Sequence, residues 1–215
     1  MTAHNAIVLE RGAKQIGDRT LWKEVSHTFH PGSFTCLTGP SGCGKTTLLN
    51  CLGLLEPLTS GTITYGGARI DNASARRVRG LRRESFGYLF QNFALVEQWT
   101  VYQNLQVPLK AARTPKARHG ELIGPALKPV GLTGRAEAPV HTLSGGEQQR
   151  VALARLQLHE PSVVLVDEPT ASLDDQNTRM VLDRLQHLAD GGAVVIVSTH
   201  DPAVRDASMV DVDLS

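Results

Sequence analysis

The stretch Gly39-Pro40-Ser41-Gly42-Cys43-Gly44-Lys45-Thr46-Thr47 most narrows what this chain can become. It has the spacing Gly, four residues, Gly-Lys-Thr, which belongs to a loop that wraps a phosphate group. Ser33 to Thr38 ahead of it reads as a buried strand, and Lys45 to Leu52 behind it reads as the first turns of a helix. Strand, glycine loop and helix together are the context such a loop needs. The glycines let the backbone turn sharply and aim successive N–H groups inward, and the helix N-terminus adds partial positive charge. In that geometry Lys45 reaches the β and γ phosphates of a nucleotide, and the Thr46 hydroxyl ligates Mg²⁺.

The rest of the chain supplies a core around this loop. Ser162 to Asp167 and Ala193 to Ser198 are continuous apolar runs, of the kind that a parallel sheet buries on both faces. Between them Met180, Leu182, Leu185 and Leu188 keep helical spacing. The first run ends in Asp167-Glu168, which places Asp167 to hold Mg²⁺, usually through water, and Glu168 to polarise an attacking water. Alone that pair is a weak signal, but beside the loop at Gly39 it reads as a nucleotide-hydrolysis signature, and a structural helix cap becomes the minority reading.

Ala6 to Glu10 and Thr20 to Phe29 read as strands around a turn at Gly17-Asp18, and Thr62 to Tyr65 adds a short strand before Gly66-Gly67. These pieces predict a small antiparallel sheet beside the nucleotide. In the second strand Leu21, Lys23, Val25, His27 and Phe29 alternate with Trp22, Glu24, Ser26 and Thr28, so periodicity does not choose the inward side. From about 92 to 158 the pattern is mostly helical. Thr100 can cap a helix through Val101, Leu105 and Leu109, and further helices are expected around Leu122, Ile123, Leu127 and Val130. The expectation is one domain over 1–215, with an α/β core, an N-terminal antiparallel β subdomain and this inserted helical subdomain.

At 215 residues and 41% hydrophobic content the chain can bury a full core, and a net charge of +1 points to no particular partner. Ala75 to Glu84 concentrates Arg76, Arg77, Arg79, Arg82 and Arg83. A nucleic-acid patch and a solvated helix face both fit that run, and the lack of interleaved aromatics favours the solvated face, so no nucleic acid is expected as a partner. No apolar run approaches the roughly 18 residues of a membrane helix, and the start lacks a signal-peptide pattern, so a soluble, cytoplasmic chain is expected. Cys36, Cys43 and Cys51 form no CxxC spacing, which suits a reducing compartment and argues against zinc.

A second glycine motif, Leu143-Ser144-Gly145-Gly146-Glu147-Gln148-Gln149-Arg150, begins as a capping box of Ser144 with Glu147. A capping box does not account for two consecutive glycines. Bare backbone at a positive helix end suits a second phosphate-binding surface.

With these motifs in place the chain resembles the ATP-binding subunits of ABC transporters over nearly its whole length. The likeness rests on the phosphate loop, Gln91 after a strand, Leu143 to Glu147, the acidic strand end, Ala171-Ser172-Leu173-Asp174, and His200 after the last core strand. Phe86 to Glu97 and Thr100 to Leu105 look most like the macrolide-exporter and lipoprotein-release branch, and within it the bacteriocin-export subunits.

The resemblance implies a phosphate-loop NTPase core of RecA-like type and a head-to-tail dimer with a second copy or a homologous subunit. In that dimer Ser144, Gly145, Gly146 and Glu147 of one subunit close over ATP held by Lys45 of the other. It implies Asp174 as the link between the two sites, Gln91 as a sensor and metal contact facing a transmembrane permease subunit, and His200 as the γ-phosphate contact. It further implies a position on the inner face of the membrane, held there by the permease. The family's adenine-stacking aromatic aligns with Ile16, so adenine is expected to rest on aliphatic contact, with Trp22 either substituting or simply packed. Two related readings share the motifs: an ATPase that pulls on a membrane partner to activate a wall hydrolase, and a soluble ABC ATPase.

Overall fold

The computed structural model describes residues 5–170 and 174–214. The chain opens with β1 (Ile7–Ile16) and β2 (Arg19–Phe29), then β3 (Phe34–Thr38), which runs into α1 (Lys45–Leu52). There follow β4 (Ser60–Tyr65), β5 (Ala68–Arg69), α2 (Ala75–Glu84) and β6 (Phe86–Leu89). Next come α3 (Val101–Ala111), α4 (His119–Leu127) and α5 (Gly145–His159). The chain finishes with β7 (Val163–Asp167), α6 (Asp175–Asp190), β8 (Val194–Ser198), α7 (Pro202–Ala207) and β9 (Val210–Asp213).

Two sheets result. One is antiparallel, in the order β2-β1-β4-β5, and the other has the order β6-β7-β8-β3-β9 with every pairing parallel. The central strands β7 and β8 are nearly continuous apolar runs because both faces are covered. Val163, Leu165, Val194 and Ile196 pack into a cluster with α1 and the antiparallel sheet. Their alternates Val164, Val166, Val195 and Val197 pack into a second cluster with α3, α4, α5 and α6. Strand periodicity of two thus sorts one sheet between two cores. Phe29, Phe34 and Phe86 are among the largest fully buried side chains, each contributing about 2–3 kcal/mol by removal from water.

The uncertain face of β2 has a local cause. Trp22 and Phe29 are both buried, although an unbroken strand would point them to opposite sides. The β1–β2 register shifts between Leu9 and Gly12 and again between Gly12 and Lys14, and Arg11 and Glu24 take left-handed φ of 44° and 56°. Each bulge reverses the alternation, so no single period covers the strand.

Three elements were not anticipated from sequence, β5, α7 and β9. β9 is a short alternation of Val and Asp, with Val212 its one buried residue, and exists because it pairs in parallel with β3.

Candidate functional site

The site is built at the C-terminal ends of β3, β7 and β8, which lie side by side. The loop after β3 runs through Gly39, Gly42 and Gly44 at φ of 137°, 76° and 101°, a region open to glycine and costly for other residues. Gly44 carries a second constraint. A Cβ there would lie 2.9 Å from the Trp22 indole nitrogen, so both the backbone angle and the packed tryptophan exclude a side chain. Trp22 itself is buried, with Nε1 donating to the Gly44 carbonyl at 3.4 Å. It packs beneath the loop and is not free to stack on a base.

Lys45 begins α1 and is buried, its ammonium turned back into the loop. It donates to the carbonyls of Gly39 at 2.9 Å and Pro40 at 3.2 Å, and its Nζ lies 3.1 Å from His200 Nε2. Thr46 donates from Oγ1 to both oxygens of Asp167, at 2.9 and 3.0 Å. Hydroxyl and carboxylate come from elements 121 residues apart and meet because β7 and β3 flank β8. Ser198, opposite Asp167 in the β7–β8 register, also donates to it.

Glu168 follows at φ 47°, a left-handed backbone that is uncommon outside glycine. Its N–H donates to the Ser198 carbonyl at 2.9 Å, which holds that conformation. The turn aims its carboxylate at His200, whose Nε2 is 3.7 Å from Oε1 and whose backbone N–H lies 3.4 Å from Oε2. Lys45, Glu168 and His200 therefore converge. Strain held by a neighbouring strand at such a point is a common mark of a working site.

The second glycine motif lies elsewhere on the surface. Ser144 caps α5 by accepting from the Glu147 N–H at 3.3 Å, while Glu147 Oε2 accepts from the Ser144 N–H at 2.9 Å, so the predicted capping box is present. The Glu147 carboxyl is held below the ordinary range, chiefly by that backbone N–H. Ser144 and Gly145 are exposed, and a Cβ on Gly145 would meet nothing within 4 Å. No contact among the described residues requires glycine there. Among the described residues, no hydrogen bond or ion pair joins Ser144 to Glu147 to the Lys45 cluster.

Asp174 caps α6, accepting from the Asn177 N–H at 2.8 Å; Ala171, Ser172 and Leu173 lie outside the described residues. Gln91 is exposed in the turn after β6. Because Leu89 pairs with Val166, that turn leaves the sheet beside Asp167 and Glu168. Ile16 ends β1 with its side chain 55% exposed. Arg19 pairs with it across the hairpin and reaches the Gly42 carbonyl at 2.9 Å, which puts Ile16 next to the phosphate loop.

Several positioning groups escaped the sequence reading. Gln149 of α5 donates to the Pro169 carbonyl, and Arg150 donates to Asn177 Oδ1 at 2.6 Å, while the Asn177 amide bonds Asp174. Consecutive residues of the second motif's helix therefore hold both sides of the segment that joins β7 to α6. Arg155, whose pKa burial lowers, donates to the carbonyls of Phe93 and Ala94 at 2.7 and 2.6 Å, two residues at left-handed φ of 59° and 46°. It holds the Gln91 loop to α5. The available signal was one of residue type, polar or basic side chains within an otherwise apolar helix.

A parallel sheet whose strand ends gather a glycine loop with its lysine, a hydroxyl–carboxylate pair and a second carboxylate defines a phosphate-loop nucleotide-binding fold. The ABC transporter family's sequence profile matches residues 22–171, and the chain belongs to that family. It is 39% identical over 181 residues to the pyoverdine export ATP-binding/permease protein PvdT of Pseudomonas entomophila (strain L48), covering 84% of this chain and 28% of that one. It is 37% identical over 182 residues to the macrolide export ATP-binding/permease protein MacB of Salmonella typhimurium, covering 85% and 28%. The chain thus spans a little over a quarter of those two relatives. It is 34% identical over 202 residues to the ABC transporter ATP-binding protein YknY of Bacillus subtilis (strain 168), covering 92% and 87%. Among solved structures, a dimeric post-hydrolysis state of the ATP-binding cassette MJ0796 bound to ADP and Pi matches with a TM-score of 0.89 at 29% identity, over 97% of this chain and 94% of that one.

Proposed function

We propose that this chain is the ATP-hydrolysing subunit of an exporter: it dimerises on ATP and drives a membrane permease. The observation that carries the reading is the meeting of Lys45, Thr46, Asp167, Glu168 and His200 at three adjoining strand ends. Lys45 now spends its donors on loop carbonyls, and phosphate oxygens would take them over. Thr46 Oγ1 and the Asp167 carboxylate are hard oxygen donors 2.9 Å apart, which suits Mg²⁺. No group of three or more His, Cys, Asp or Glu among the described residues is placed to hold a metal, so phosphate and water would complete the shell, as Mg²⁺ prefers. Bound there, Mg²⁺ supplies charge neutralisation on the β and γ phosphates.

Glu168 orients water and accepts its proton as the water oxygen bonds the γ phosphorus. The bond from that phosphorus to the bridging oxygen breaks, and the oxygen leaves with ADP. His200 contacts the γ phosphate and faces Glu168, so it reports whether that group is present. Ser144 to Glu147 complete the site from a second subunit, a role supported by the exposure of Ser144 and Gly145 and by a Gly145 that no contact among the described residues demands. Asp174, tied through Asn177 and Arg150 to that same helix, links the two sites.

Closure is transmitted at the surface around Gln91, where Val96, Trp99 and Val107 are large exposed apolar side chains for a permease to cover. The described residues contain no helix long and apolar enough to cross a membrane, and the permease tethers the chain at the inner face. Export as the direction of transport is supported by the printed roles of PvdT and MacB.

The test is Glu168→Gln. We expect ATP binding to persist, turnover to fall by about 10²–10⁴-fold, and gel filtration with ATP to show a dimer. A variant that binds ATP but elutes as a monomer at high concentration would overturn the composite site.

A further inference from the structure

α2 carries five arginines in its 10 residues, and with Arg113 from beyond α3 they line an open cleft of about 940 Å³. Every charged residue lining it is an arginine. Arg82 donates to the Leu54 carbonyl and Arg83 to Glu84, the one acid on the helix. Arg76, Arg77, Arg79 and Arg113 are exposed, and their guanidinium groups donate to no protein group among the described residues. Their field reaches Glu84, whose carboxyl is held below the ordinary range first by Arg83 and then by Arg77 and Arg113. The whole chain carries a net charge of only +1, so this positive charge is local to one face.

Gly80 is the second observation. A Cβ there would meet nothing within 4 Å, so packing does not ask for glycine, and glycine weakens a helix interior. It stands one turn from Arg76, Arg77 and Arg83. Bare backbone among those three positions leaves room for a group the size of a phosphate.

We propose that this cleft docks directly on an anionic lipid bilayer, with its guanidinium forks on the phosphates of the headgroups. The planar fork of arginine matches phosphate oxygens in pairs. A protein partner held at such a surface would need apolar anchors in desolvated pockets, and Ser74, Gly80 and the arginines provide none. Broad charge without a closed pocket suits a plane of many anions. The position agrees, since Arg82 and Arg83 also line the neighbouring groove with Phe90, Ala94 and Val107, on the side that carries the Gln91 turn. The contact is with lipid itself and needs no permease, which takes it beyond the reading above.

The experiment sediments the intact chain with vesicles of phosphatidylcholine containing about a third phosphatidylglycerol, and with vesicles of phosphatidylcholine alone, at low and high salt. Each arginine at an anionic surface contributes about fivefold to partitioning. Binding should therefore favour the anionic vesicles, weaken as salt screens it, and fall at least ~25-fold in Arg76→Glu/Arg79→Glu. ATPase activity should be unchanged in that variant, which also reports its fold. Arg118→Glu/Lys128→Glu, a reversal of two exposed charges elsewhere, should bind as the parent does. Equal binding to both vesicles, no binding at low salt, or the same loss in the control would overturn the proposal. So would displacement by inorganic phosphate beyond that by chloride of equal ionic strength, which would assign the cleft to a free anion. Capture of a polyglutamate peptide without vesicle binding would assign it to an acidic protein segment.

Discussion

At the scale of residues, the site depends on a few side chains held by backbone groups. Glu168 keeps its left-handed turn through the Ser198 carbonyl, and Lys45 is poised by the carbonyls of Gly39 and Pro40. By contrast, Ile16 is exposed beside the loop and Trp22 is packed below it, so neither offers a ring to adenine. Affinity then rests on the phosphates, and GTP should compete with ATP nearly as well. Ile16→Tyr adds a stacking face at a position that buries little, and should tighten ATP binding by about 1 kcal/mol, roughly fivefold in Kd. Calorimetry with both nucleotides checks this. A strong ATP preference in the parent would show that another group reads the base.

At the scale of elements, the antiparallel sheet is joined to the nucleotide core by a small polar network at the end of α1. Lys14 of β1 is buried, donating to the Pro57 carbonyl at 2.8 Å and lying 3.1 Å from Glu56, which also accepts from Asn50 of α1 at 2.8 Å. The Glu56 carboxyl is held below its ordinary value, first by the Asn50 amide and then by Lys14, against the opposing effect of burial. A depressed carboxylate pKa contributes stability above the unfolded value, near 4.3, and loses it as pH falls through the folded value. Glu56→Gln should therefore lower the melting temperature by about 2 °C at pH 7, a modest amount because the pair is partly exposed. The gap between variant and parent should close as the pH drops below about 4. Melting curves across that range test the sign; a gap that widens in acid would refute it.

At the scale of the whole molecule, the proposed mechanism divides the site into two halves. Lys45, Thr46 and Asp167 form one of them, and the exposed Ser144 and Gly145 form the other. A head-to-tail pair would bring the halves together twice. Lys45→Ala removes one half and Ser144→Arg the other, so each variant alone should lack measurable turnover. In a mixture, the heterodimer keeps one intact site, formed by Lys45 of the second variant and Ser144 of the first. Mixing should restore ATPase activity, read by phosphate release. Continued silence, with both variants still binding each other, would exclude site sharing between subunits.

What the sequence determined by itself was everything written in local backbone chemistry. The glycine loop with its lysine, the helix cap at Thr100, the capping box at Ser144, and the apolar runs of β7 and β8 depend on near neighbours and on periodicity. The tertiary structure alone decided the rest. Thr46 meets Asp167, Ser198 supports it, and Arg155 holds the carbonyls of Phe93 and Ala94 only because the strand order places β8 between β7 and β3 and lays α5 beside the Gln91 turn. The inward face of β2 was hidden by bulges at Arg11 and Glu24, which break the period that a sequence reading relies on. β9 was hidden because four residues alternating Val and Asp are too short a run to read alone, and its strand conformation comes from the backbone groups of β3 that it satisfies.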